Sequence, residues 1–174
     1  MYNSVMLIFL DTEFTDFPES ECDLISIGLV DENDREFYAE LTDYRQEACS
    51  GFVREVVLPL LGQHKNRITG PRYMIAKELA EWLEPYRETE CTICFDYNTD
   101  WWLMRNMIML LPDDMLPDFL TTRNIWGDID VQALEYFWLE RDTIGWKQHM
   151  ALYDAHGNKF AYKPLVKERH EAQR

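Results

Sequence analysis

The residues of this chain best suited to chemistry are acids placed where the apolar segments stop. Asp11 and Glu13 follow the run Met6-Leu-Ile-Phe-Leu10. In an extended segment, residues two apart project to the same side, so Asp11-Thr12-Glu13 presents two neighbouring carboxylates at a strand terminus, a pair fit to ligate a cation. An isolated pair of this kind is more often solvated acid entering a turn. Position favours the functional reading, because the carboxyl ends of central strands are where α/β sheets present their sites. A second group, Asp96-Tyr-Asn-Thr-Asp100, follows the apolar run Cys91–Phe95. Asp100 falls at a helix start, where the helix dipole favours a carboxylate, and Asp96 competes with it as the strand-end acid. A third, Gln148-His-Met-Ala-Leu-Tyr-Asp-Ala155, sets His149 just before a short apolar helix and Asp154 within it. His64, His156 and His170 have no such company and read as surface or core residues.

The elements that must position these groups follow from periodicity. Met6–Leu10, Leu24–Val30 and Glu36–Leu41 read as strands joined by acidic turns, a three-strand meander. The period then changes. Val53, Val56, Val57, Leu60 and Leu61 suggest a short helix disturbed by Pro59, and Ile75, Leu79, Trp82, Leu83 and Tyr86 mark a longer one. Cys91–Phe95 is a fourth strand, followed by a helix to about Met109 with Asn98 or Thr99 as cap. Phe119–Trp126 suits another strand, and Val131, Leu134, Phe137 and Trp138 another helix. A last short helix lies near Ala151, before a polar tail at about 162–174. Strands first, then helix and strand in alternation, predict an α/β fold with a mixed sheet flanked by helices, in one domain with its core at about 5–160.

Composition narrows the function classes. The length of 174 residues with 47% hydrophobic content fits one domain with a full core. The early apolar run is too short to span a membrane and lacks a basic leader, so a cytoplasmic protein is expected. Cys22, Cys49, Cys91 and Cys94 lack the density of a disulfide scaffold, and Cys91-Thr-Ile-Cys94 has no second ligand pair for zinc. A net charge of −15 runs against the basic footprint of a tight nucleic-acid binder. A single-stranded end gripped through bound cations and base stacking, with few phosphate contacts, is compatible with it.

Taken in order, Phe9-Leu-Asp11-Thr-Glu13-Phe, Tyr97-Asn-Thr-Asp100-Trp-Trp-Leu and His149-Met-Ala-Leu-Tyr-Asp154-Ala resemble the three motifs of the DEDDh 3′–5′ exonucleases. The H-x-x-x-x-D spacing is the most specific of them. The middle motif departs from the N-x-x-F-D form of polymerase proofreading subunits and is more similar to small stand-alone exoribonucleases. The resemblance covers about Leu7 to Ala155 and implies a ribonuclease H-like sheet. It also implies two Mg²⁺ or Mn²⁺ ions held by Asp11, Glu13, Asp100 and Asp154, with His149 as general base and water as nucleophile. It implies a nucleic-acid partner, RNA 3′ ends before DNA, and a homodimer. Phe14 is expected to stack on the terminal base, with Thr12 and Trp101 as further substrate contacts, while Phe17 and Trp102 are weaker candidates. Arg105, Arg123 and Lys147 stay outside the expected site. The rival readings are a DNA exonuclease of the same superfamily and an acidic, DNA-mimicking or protein-binding module without turnover.

Overall fold

The computed structural model describes residues 5–16 and 21–172. The three expected strands form an antiparallel meander of β1 (Met6–Phe14), β2 (Leu24–Asp31) and β3 (Glu36–Leu41). A short strand that periodicity did not announce, β4 (Ile68–Gly70), adds parallel to β3. On the other side β5 (Cys91–Phe95) lies parallel to β1, and β6 (Leu120–Asn124) parallel to β5. The order β4-β3-β2-β1-β5-β6 makes β1 and β2 the middle of a mixed sheet.

Alternation along β1 divides the two layers. Ile8 and Leu10 enter the main core with Ile75, Leu79 and Leu83 of α1 (Arg72–Leu83) and Leu103, Met104 and Met107 of α2 (Asn98–Ile108). Phe9 points the opposite way, into a smaller core with Ala155 of α4 (Ala151–Ala161) and Tyr162. α3 (Val131–Asp142) is capped by Asp130, whose carboxylate accepts from the Ala133 amide at 3.0 Å, and it packs on α4. Asp11 and Glu13 share the Phe9 side of β1, which α4 covers.

Four expectations need correction. The segment around Val53–Leu61 is not an ordinary helix: a π turn, Val53–Val57, passes into a 3₁₀ turn, Leu58–Leu60. Pro59 lacks an amide proton and its ring opposes the carbonyl one turn earlier, so regular α-hydrogen bonding cannot cross it. β1 does not end at Asp11 but runs to Phe14, with a bulge between Glu13 and Phe14. Neither Asn98 nor Thr99 caps α2; Tyr97 is the N-cap residue, and the Asn98 side chain instead accepts from Asn124 at 2.8 Å. The polar tail is largely the helix α5 (Lys163–Ala172). Among the described residues no helix is long and apolar enough to cross a membrane.

Candidate active site

The pairing of β1 with β5 ends at Phe9 opposite Cys94, so β1 outruns its parallel neighbour. Asp11 and Glu13 lie on that overhang, and the adjacent bulge re-aims the strand as bulges beside active sites do. Asp96 follows the end of β5, and Asp100 lies one helical turn later in the first turn of α2. Asp154 comes from α4, which crosses the overhang from the far side.

α4 approaches this closely because β2 carries glycine opposite Asp11, at Gly28. A Cβ on Gly28 would sit 2.3 Å from the Leu152 amide nitrogen and 2.4 Å from the Ala151 carbonyl carbon, so helix backbone rests directly on strand backbone. Gly28→Ala is expected to push α4 off the sheet and carry Asp154 and His149 with it. Overpacking of this kind costs about 1–3 kcal/mol. Denaturant melts should show that loss; an alanine variant as stable as the original chain would refute the docking argument.

The acids converge in two groups. One carboxylate oxygen each from Asp11, Glu13 and Asp154 lie within 4.8 Å of one another, as do those from Asp11, Asp96 and Asp100. Asp11 belongs to both. Asp100 is 2% exposed; its Oδ1 accepts from the Thr12 hydroxyl at 2.7 Å, while its Oδ2 is buried without a hydrogen-bond partner. Asp96 accepts from Asn158 Nδ2 at 2.8 Å. Asp154 reaches back to accept from the Met150 amide at 3.1 Å, which ties the α4 entry, and with it the His149 backbone, to the acids.

The electrostatics are those of carboxylates lacking countercharge. Burial raises the pKa of Asp11 well above the usual carboxylate range, and Asp100, Asp154 and Glu13 add like-charge repulsion. Burial likewise raises Glu13. Asp100 is pushed up to about 8, by burial first, with its Thr12 hydrogen bond opposing. Asp154 is pushed up to about 7, again by burial. Burial lowers the His149 imidazole, which favours its neutral, proton-accepting form. Hard divalent cations fit this site on two observations: the donor set is all oxygen, and a buried carboxylate oxygen of Asp100 has no other partner.

The site opens into a cleft of about 710 Å³ floored by Asp11, Asp96, Asp154 and Asn158. Val131, Leu134, Trp138 and Leu139 of α3 form its apolar wall, and Leu139 is 74% exposed. Neither lysine nor arginine is among the described residues lining it. Lys147 and Arg123 are paired with Asp142 and Asp128.

The structure thus brings together Asp11, Glu13, Asp100 and Asp154, with His149 at the entry of α4. Asp96, weighed against Asp100 from sequence, joins rather than replaces it. Thr12 is buried and spends its hydroxyl on Asp100. Phe14 is half-buried against the main core. Trp101 is not brought to the acids: it stacks on Phe95 at 6.4 Å and lines a separate groove with Arg105. Phe17 lies outside the described residues. Sequence reasoning missed Gly28, Asn158 and the Trp138 wall; the lone glycine inside an apolar strand was the one available signal.

No protein-family model matches the chain. Among curated proteins it is similar to two 3′-5′ exoribonucleases from two strains of Mycobacterium tuberculosis, 38% identical in each case over 78 residues. That match spans 45% of this chain and 46% of each relative, so under half the length of those relatives is covered. Among solved structures it is similar to the nuclease domain of 3′hExo, described as a DEDDh family member bound to rAMP. The TM-score is 0.62 at 13% identity, covering 94% of this chain and 92% of that one, and shows the fold. The chain therefore shares the fold of a DEDDh nuclease domain and part of its sequence with two 3′-5′ exoribonucleases, and it carries Asp11, Glu13, Asp100, His149 and Asp154 in the order of the DEDDh motifs it resembles.

Proposed function

We propose that this chain is a divalent-metal-dependent 3′–5′ exoribonuclease that removes nucleoside 5′-monophosphates from RNA 3′ ends. The observation that carries the reading is the sharing of Asp11 between two three-carboxylate groups. Asp11, Glu13 and Asp154 would hold one Mg²⁺ or Mn²⁺ ion, and Asp11 and Asp100, with Asp96, a second. When bound, such a pair supplies positive charge that stabilises the attacking and leaving oxygens of an in-line phosphoryl displacement. With no basic side chain among the described residues of the cleft, bound cations are also what would make it attractive to a phosphodiester.

The chain's own residues do the rest. His149, neutral at physiological pH, accepts a proton from the attacking water. Asp154 fixes the entry of α4 through the Met150 amide, so ligation and placement of the base are coupled. Thr12 holds one oxygen of Asp100 and leaves the other for a cation. The apolar α3 wall would take the terminal nucleotide's base, and Phe14 is a second stacking candidate. The preference for RNA rests on the names of the Mycobacterium relatives. A cytoplasmic homodimer belongs to the same proposal, and light scattering on a sizing column tests the dimer.

The test is a matched pair of 5′-labelled RNA and DNA oligonucleotides incubated with Mg²⁺, Mn²⁺ or EDTA. The expected result is stepwise shortening of RNA from its 3′ end, absent in EDTA and slowed about 10²- to 10⁴-fold in His149→Ala. Faster shortening of DNA would move the assignment to a DNA exonuclease. No shortening of either polymer in any metal would remove the enzymatic reading and leave the acidic module.

A further inference from the structure

The ring of His149 needs a support that the site's hydrogen bonds do not supply. Its backbone has φ 65°, the left-handed region that side chains other than glycine rarely adopt, so the residue is held there by its surroundings. Asp154 fixes the backbone that follows, but among the described residues no hydrogen bond reaches the imidazole itself. What does meet it is Phe52, whose ring centroid lies 4.9 Å from that of His149 with the planes at 89°, a T-shaped contact.

Phe52 does not dangle on a loose loop. It is 53% exposed, yet the residues after it are anchored: Val53 and Val57 are buried with Ile25 and Cys49. The Ser50 hydroxyl accepts from the Val53 amide at 3.2 Å, and the Ser50 amide donates to the Thr15 carbonyl at 2.9 Å. Arg54 clasps the carbonyls of Cys49 and Glu47 at 2.9 and 3.0 Å. Downstream, the Gly62 amide donates to the buried Glu40 carboxylate at 2.8 Å. Phe52 directly precedes the π turn Val53–Val57, a geometry concentrated at functional sites. A half-exposed aromatic presented by an anchored segment to the His149 imidazole has little to gain from burial and much from orienting that ring.

We propose that Phe52 is the positioning residue for His149, holding its imidazole in the orientation that accepts the proton of the attacking water. The inference rests on His149 being the base of the proposed reaction. Misplacing a reacting group by about 1 Å costs on the order of 100-fold in rate. Phe52→Ala and Phe52→Leu, which lose the ring, should therefore lower kcat about 10- to 100-fold on a short 3′-end RNA, with KM within about twofold of wild type. Phe52→Tyr, which keeps the ring, should restore kcat. Calorimetric Mn²⁺ binding should be the same in all three.

Carbon-bound imidazole proton resonances of His149 in the full-length protein supply a readout independent of turnover. The Ala and Leu variants should lose the ring-current shift from Phe52, and Tyr should keep it. His149 resonances unmoved in Phe52→Ala, or a moved resonance with kcat within about twofold of wild type, would overturn the positioning role. A raised KM at unchanged kcat would overturn it too, because Phe52 would then act on substrate directly. If wild-type protein hydrolyses neither RNA nor DNA, the functional reading and this inference both fall, and the resonances still report whether the ring contact exists.

Discussion

Asp11→Asn will abolish turnover and at the same time make the metal-free protein more stable. Both halves follow from the position of Asp11 in two carboxylate groups at once. Removing its charge removes a ligand from each proposed ion site, so the loss should match failure of the whole metal assembly: about 10³-fold or more in kcat/KM, or roughly 4 kcal/mol of transition-state stabilisation. In the absence of metal the same carboxylate is half-buried among four acids, and its raised pKa records how poorly the fold tolerates its charge. Asparagine has nearly the same shape and no charge to bury, and it also relieves its neighbours. Each kcal/mol so gained raises the melting temperature of a domain of this size by about 2–4 °C. Turnover assays and thermal melts in EDTA on one preparation check both signs. A variant that is inactive and less stable in EDTA would mean that Asp11 serves the fold, and the metal-sharing assignment would be lost.

How far the site could be read from sequence depended on whether local geometry or tertiary packing decides each residue. Asp11 and Glu13 were legible because a strand has a period of two and the preceding run is apolar enough to be central, and the register bears this out. Asp96 and Asp100 could not be separated because each follows β5 and they stand one helical turn apart; only the fold shows both reaching Asp11. Trp101 illustrates the converse. A helix rotates by about 100° per residue, so turning Asp100 toward β1 necessarily carries its neighbour round toward Phe95. The meander and the helices with a clean apolar period were readable. The segment after Gly51 was not, since Pro59 breaks its period and its π turn depends on Val53 and Val57 finding Ile25 across the fold. Phe52 carried no sequence signal at all, because its importance lies in a contact with a residue almost a hundred positions later.

In EDTA, the protein should lose stability as pH rises from about 5 to 8, and divalent metal should reverse that trend. Folded-state pKa values of about 8 for Asp100 and about 7 for Asp154, against the ordinary aspartate value of 3.8 in the unfolded chain, mean that the folded site binds protons the unfolded chain releases. Stability then falls with pH wherever the native state holds the extra protons, so this contribution is whole below the unfolded pKa and is gone above about pH 8. Asp11 and Glu13 shift the same way and reinforce it. Divalent ions compete with those protons for the same oxygens, so their stabilising effect should be small at pH 5 and large at pH 8. Metal at a hundred times its dissociation constant contributes about 2.7 kcal/mol for one site. The net charge of −15 also favours low pH, through general self-repulsion. Asp100→Asn separates the two effects, since it leaves almost all of the surface charge in place yet should flatten both the pH slope in EDTA and its reversal by Mn²⁺. Thermal melts at pH 5 and pH 8, with EDTA or Mn²⁺, in wild type and Asp100→Asn decide it. A wild type that is more stable at pH 8 than at pH 5 without metal would show that the acids are solvated or already compensated, and the argument for a cation site from their burial would fail.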